Sequence, residues 1–260
     1  KKMNLIESQI NNNVLILKLN RPDKFNSFNR PMALELIEKL NEANTNKAVR
    51  AVLLTGNGKA FCAGQDLAEA MDVNGPGIKT IVEEHYNPII LKIRELKKPV
   101  IAVVNGVAAG AGANIAIACD IVLASENASF IQAFSKIGLV PDSGGTYFLP
   151  RVVGFNLASA LMITGDKLTV EDAQKFGIVY KIFNSENLLE EAVKFCETIA
   201  QMPTAAIAQT KHLLNNSYSN TLHQQLQQEG KEQVTSAKSY DYNEGVNAFL
   251  EKRKPSFKGE

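Results

Sequence analysis

Apolar positions along this chain fall into two patterns: short runs rich in β-branched residues, and longer stretches with a helical period. Val14 to Leu19 (VLILKL) is almost wholly apolar and predicts a buried strand. Arg21-Pro22-Asp23 signals a loop. From Pro31 a helical period sets in, with Leu34, Ile37, Leu40 and Ala43 on one face. Val49 to Thr55 (VRAVLLT) predicts the next strand, closed by the turn residues Gly56-Asn57-Gly58. Phe61 to Leu67 (FCAGQDL) reads as strand end, tight turn and helix start. Asp72 to Gly77 reads as a mobile loop, and Ile78 to Leu96 as a long helix interrupted or bent near Pro88.

From Pro99 to Cys119 only Asn105 and Asn114 are polar, a run long enough to cross a bilayer. It divides into PVIAVV, a Gly/Ala turn and a helix from about Ala113. Gly and Ala supply little transfer energy, so a buried strand-turn-helix is expected instead. Ile121 to Ala124 (IVLA) predicts another strand. Repeated strand-turn-helix units imply an α/β fold with parallel pairing through helical crossovers. Beyond Thr146 the pattern is helical except at Val179 to Phe183, and Pro203 opens a run of helices to about Lys252. The division expected is a core over 1–200 and a C-terminal helical region over 201–260.

Composition narrows the classes. Of 260 residues, 45% are hydrophobic and 21% charged, which excludes disorder for most of the chain. Lys+Arg is 28 against 27 Asp+Glu, a net charge of +1 that offers no field for nucleic acid or acidic lipid. Cys62, Cys119 and Cys196 are too scattered for a zinc site or disulfide framework, and a reducing cytoplasm is the expected location. Lys1-Lys2-Met3 reads as a trimmed start followed by polar sequence, so no secretory signal is expected.

Three turns could carry chemistry. Asn105 to Asn114 (NGVAAGAGAN) lies between a strand and a helix. It has no Gly-Lys-Ser/Thr for a P-loop, and its glycines at 106, 110 and 112 do not fit G-x-G-x-x-G. Backbone N–H groups aimed at one oxygen fit it, and so does tight helix-sheet packing. Ala63-Gly64-Gln65-Asp66 is a second strand-to-helix turn, able to lend another N–H to the same oxygen. The third is Leu139-Val140-Pro141-Asp142-Ser143-Gly144-Gly145-Thr146. There Asp142 could cap the following helix or move a proton beside a carbonyl. His85, His212 and His223 have no metal-binding spacing and read as core or surface residues; no G-x-S-x-G elbow occurs. Lys252, Arg253, Lys254 and Lys258 form a basic cluster, either a solvated tail or a phosphate contact.

FCAGQDL, NGVAAGAGANIAIACDIVLAS and GLVPDSGGT, in that order, resemble the crotonase (enoyl-CoA hydratase/isomerase) superfamily over essentially the whole chain. The resemblance implies an α/β crotonase (ClpP-like) spiral of ββα units with a C-terminal helical subdomain, assembled as homotrimers or dimers of trimers. It implies an acyl-CoA substrate, with coenzyme A as its carrier and no cofactor, metal, nucleic-acid or membrane partner. It assigns the oxyanion hole to the N–H groups of Gln65 and Ala111. Lys24, Phe25, Ala63, Asp66 and Leu67 would contact CoA, and Asn114 and Phe134 the acyl group. Hydratases of this family use two glutamates, which would fall at Asn114 and Phe134; neither is acidic here. The acid instead stands at Asp142. That arrangement, with ASFIQAFSKIGLVPDSGGT and YDYNEGVNAFLEKRKPSFKG, is similar to the ring-1,2-epoxyphenylacetyl-CoA isomerase branch of phenylacetate breakdown. An isomerase is therefore expected, with Asp142 as catalytic proton shuttle. A fatty-acid-type Δ3,Δ2-enoyl-CoA isomerase and an enoyl-CoA hydratase are the alternatives. A dehalogenase branch relies on tryptophan, and this chain has none. A crotonase-fold RNA-binding protein would want a lysine comb, whereas the first helix carries Glu35, Glu38, Lys39 and Glu42.

Overall fold

A computed structural model of the chain describes residues 4–260; the Lys1-Lys2-Met3 start lies outside the described residues. Two sheets form its frame. The larger contains β1 (Ile6–Asn11), β2 (Val14–Leu19), β3 (Ala51–Gly56), β5 (Val100–Val104), β7 (Ile121–Ser125) and β10 (Lys181–Phe183), in the order β1-β2-β3-β5-β7-β10. The smaller contains β4 (Ala60–Cys62), β6 (Val107–Ala109), β8 (Ser129–Ile131) and β9 (Lys167–Thr169), in the order β4-β6-β8-β9. Only the β1–β2 and β8–β9 pairs are antiparallel. β1 joins β2 through Asn12 and Asn13, both at positive φ (46° and 65°), as a two-residue hairpin requires.

The chain alternates between the sheets: β3 then β4, β5 then β6, β7 then β8. Each pair starts one turn of a spiral, and three of its four short strands, β6, β8 and β9, were not expected from sequence. All three span three residues, too few for a period-two pattern to declare itself. Both faces of the larger sheet are buried. Val100, Ala102 and Val104 point into one hydrophobic cluster, and Ile101 and Val103 into the other. That two-sided burial explains the unbroken apolar runs.

The helices are α1 (Arg30–Thr45), α2 (Leu67–Met71), α3 (Gly77–Thr80), α4 (Asn87–Glu95), α5 (Ala111–Ala118), α6 (Gly145–Val153), α7 (Phe155–Thr164), α8 (Val170–Lys175), α9 (Leu188–Ala200), α10 (Thr204–Asn216), α11 (Leu222–Ser236) and α12 (Tyr240–Leu250). The inward stripe of α1 is Met32, Ala33, Leu36, Leu40 and Ala43, with Ile37 partly buried against the same core; of the expected face only Leu34, 41% exposed, turns outward. Asn29 accepts from Met32 N–H and fixes the start of α1. The helix expected over Ile78 to Leu96 runs instead from Gly77 to Glu95, with a π-helical turn at Ile81–Tyr86 joining α3 to α4. Pro88 lacks an N–H and crowds the carbonyl four residues back, so the irregularity falls just before it. The Pro99–Cys119 run becomes β5, β6 and the eight-residue α5, and no described helix is long and apolar enough to cross a membrane.

α9 covers one face of the larger sheet with Leu188, Ala192, Cys196 and Ile199. α10 is tied to the body by buried Lys211, whose ammonium lies 2.7 Å from Asp120; Arg94 of α4 holds the other carboxylate oxygen at 3.1 Å. A charge this buried stays only because it is paired and hydrogen-bonded.

Candidate active site

The two glycine turns meet. Gly64 follows β4 with φ +92°, and a Cβ there would stand 3.0 Å from the Ala109 carbonyl and 3.5 Å from the Ala111 nitrogen. Only glycine allows that conformation together with that approach. Gly110, at φ 54° and ψ −127°, turns the chain so that Ala111 begins α5. A helix's first N–H has no acceptor within the helix. Phe28 N–H donates to the Gly64 carbonyl at 2.7 Å and Asp66 N–H to the Phe28 carbonyl at 2.8 Å, so Gln65 N–H points away from this bridge. Neither the Gln65 nor the Ala111 N–H has a protein acceptor among the described residues.

The third turn comes against the same helix. Asn114 of α5 is fully buried, and its Nδ2 donates to the Asp142 carbonyl at 2.9 Å. Its Oδ1 accepts from Gln132 Nε2 at 2.8 Å. Both ends of the Asn114 amide are thus taken by the protein. Asp142 does not cap α6. The cap position is Gly144, at φ +71° and without a side-chain cap bond, while the Asp142 carboxylate accepts from Ser143 Oγ–H at 2.9 Å. Ser143 itself sits at φ +52° and is buried. Phe134 is buried on a 3-10 turn (Ala133–Ile137), its ring 3.8 Å from where a Gly110 Cβ would stand.

Burial pushes the Asp142 carboxyl above its ordinary value, and the Ser143 hydroxyl offsets this in part. A base must be ionised to act. Were Asp142 to serve as the base, kcat/KM should fall as pH drops through its raised value, in a limb displaced upward from that of an ordinary aspartate. A pH–rate profile checks this, and a wild-type profile flat through that value contradicts it.

Residues 21–28 are stapled to the Ala63–Asp66 turn. Ala63 N–H donates to the Phe25 carbonyl at 3.0 Å. Arg21 reaches the Ser27 carbonyl at 2.6 Å and Asp66 Oδ2 at 2.8 Å. The other Asp66 oxygen accepts from Ala68 N–H and caps α2. The Arg21 hydrogen bond holds the Asp66 carboxyl below its usual value. Asp66 is therefore a staple between two loops. Lys24 and Ala63 are exposed on this rim, and the apolar side chains of Phe25 (56% exposed) and Leu67 (53%) lie open beside them.

In the basic cluster, Arg253 is committed to Glu244 and Glu251, at 2.6 and 2.5 Å, and the Lys258 ammonium stands 4.0 Å over the Tyr240 ring. His212 and His223 are exposed; His85 is buried, with Nε2 3.0 Å from Arg30 Nη1, and desolvation lowers its pKa. Cys62, Cys119 and Cys196 are free and buried, their thiols pushed up to about 12 by desolvation. Among the described residues no three His, Cys, Asp or Glu side chains gather to hold a metal. A cavity of about 1350 Å³ opens between α4, α6 and α10 and touches the Asp142 loop only at Gly144. The chemistry-bearing turns, not that cavity, define the site.

Sequence reasoning missed Tyr86, Gln132, Ser143 and Glu69. Tyr86 is fully buried in the π turn and donates to Gln65 Oε1 at 2.9 Å. The only local signal was Pro88.

The enoyl-CoA hydratase/isomerase family matches residues 9–260. The chain is 43% identical to the 1,2-epoxyphenylacetyl-CoA isomerase of Escherichia coli (strain K12), over 99% of each chain. It is 38% identical to the mitochondrial enoyl-CoA hydratase of Pongo abelii, over 95% of this chain and 84% of that one. The solved structure of an enoyl-CoA hydratase from Bacillus anthracis superposes with a TM-score of 0.92 at 33% identity, covering 98% of this chain and 100% of that one.

Proposed function

This chain belongs to the enoyl-CoA hydratase/isomerase family, and on that premise we propose that it is an acyl-CoA isomerase built on one carboxylate. The substrate thioester oxygen lies between Gln65 N–H and Ala111 N–H, which bind it more strongly as negative charge develops on it. Asp142 takes a proton from the carbon beside the thioester and returns it farther along the acyl group. In a 3-enoyl ester the double bond moves into conjugation. In the aromatic case the substrate is 2-(1,2-epoxy-1,2-dihydrophenyl)acetyl-CoA, and the ring epoxide opens to the oxepin. A proton transfer of this kind needs no metal or redox cofactor; coenzyme A is the handle. Exposed Lys24, Phe25, Ala63 and Leu67 form the rim that takes the CoA part.

The observation that carries this reading is the state of the acids. Asp66 is spent on Arg21 and Ala68, and Glu69 on Arg30 N–H and Gln65. Asp142 alone is half-buried, desolvated and held by nothing stronger than a serine hydroxyl. The epoxide substrate is supported by the 43% identity to the E. coli isomerase. The same reading includes a cytoplasmic location and a homotrimer or dimer of trimers. Exposed Leu222, Leu226, Phe249 and Leu250 on the C-terminal helices suit such contacts.

Hydration is the competing reading, since relatives carry hydratase names. Adding water across a conjugated bond needs a group to activate the water and a source for the α-proton. Asn114 has its amide committed, and Phe134 presents an apolar ring. We expect isomerisation of a 3-enoyl-CoA to exceed hydration of crotonyl-CoA by roughly a hundredfold or more, the contribution of one missing acid-base group. Parallel spectrophotometric assays check this; equal rates would make the protein a hydratase.

A further inference from the structure

Gln65 has no regular secondary structure to fix its direction. It follows a glycine at φ +92° and is held to the body by a single bridge to Phe28. Its side chain, however, is gripped at both ends. Tyr86 Oη–H donates to Gln65 Oε1 at 2.9 Å. Gln65 Nε2 donates to Glu69 Oε2 at 3.0 Å, and Glu69 in turn accepts from Arg30 N–H, at the start of α1, at 2.9 Å. Tyr86 is fully buried, and its ring meets Phe28 edge-on at 6.0 Å. Phe28 also brackets Gln65 through the main chain, so one tyrosine braces the residue by two routes. A phenol inside an apolar core is retained where its hydroxyl has a partner. The π turn before Pro88 is what brings that hydroxyl to the loop.

We infer that Tyr86 is a positioning residue: acting through the Gln65 side chain, it sets the direction of the Gln65 N–H. The inference rests on the reading of that N–H as an oxyanion donor. A donor aimed in advance costs no reorganisation when charge develops, whereas a loose one does. The loss should therefore appear in turnover more than in binding.

Tyr86→Phe keeps the ring and its packing on Phe28 but removes the hydroxyl. It should lower kcat about tenfold, the worth of one hydrogen bond, with little change in KM. Gln65→Ala keeps the main-chain N–H but loses the grip, and should cost about as much. Adding Tyr86→Phe to Gln65→Ala should then cost nothing more. The absorption of bound 2,4-hexadienoyl-CoA reports carbonyl polarisation directly. Wild type should shift it to longer wavelength, and Tyr86→Phe should shift it less. A wild-type complex without a shift overturns the donor reading, and the brace falls with it. A normal wild-type shift kept in full by Tyr86→Phe, or fully additive losses in the double variant, overturns the brace alone.

Discussion

Asp142→Asn lowers isomerase turnover by roughly 10²–10⁴-fold, the usual contribution of a positioned acid-base group, while acyl-CoA binding stays within a few-fold. The substitution is nearly isosteric. Asn can still accept from Ser143 Oγ–H, and the main-chain carbonyl that holds Asn114 is untouched. What disappears is the ability to take a proton. Stability moves the other way. Burial raises the Asp142 pKa, so its charged form is disfavoured in the fold, and that site's contribution to stability is lost as pH rises through the raised value. At neutral pH the neutral amide therefore leaves the melting temperature no lower than wild type. Steady-state kinetics with thermal melts check both halves; turnover near wild type would remove Asp142 from the mechanism.

Ala111→Pro is the second large effect. Ala111 is the first residue of α5, where proline is tolerated because its missing N–H has no helical acceptor. Gly110 before it, at φ 54° and ψ −127°, holds the mirror image of an extended conformation, which glycine also adopts ahead of proline. The substitution thus deletes one proposed donor at small cost to the fold. Loss of one oxyanion donor costs about 3 kcal/mol, or roughly 10²–10³ in kcat. Ala111→Gly, which keeps the N–H, should stay close to wild type. Circular dichroism confirms folding, and a folded proline variant with full activity would clear Ala111 of any role as donor.

How far these residues could be read from sequence depended on how local their causes are. The three turns were legible because Gly64, Gly110 and the Pro141–Gly145 segment carry their conformational reasons within a few residues. The strands VLILKL, VRAVLLT and PVIAVV were legible because sheet burial on both faces leaves unbroken apolar runs. The stripe of α1 was legible at Ile37, Leu40 and Ala43 but not at Met32, Ala33 and Leu36, because packing against α4 and the π turn, not the helical period alone, sets its centre. Asn114 carried no sign that its amide would anchor the Asp142 loop, 28 residues on. The Arg21–Asp66 staple spans 45 positions and the Tyr86–Gln65 brace 21, and neither leaves a mark in local pattern. The capping role open to Asp142 was settled by backbone geometry: two successive residues at positive φ, Ser143 and Gly144, separate it from the start of α6.

The central claim is that Asp142 removes the proton next to the thioester. It is tested most directly by nuclear magnetic resonance of phenylacetyl-CoA in deuterium oxide, an ester that can lose an α-proton but has no side-chain double bond to move. Wild-type protein should exchange the α-protons for deuterium, and Asp142→Asn should not exceed the enzyme-free rate although it still binds the ester. Exchange by Asp142→Asn at the wild-type rate would show that another group takes the proton, and would contradict the mechanism.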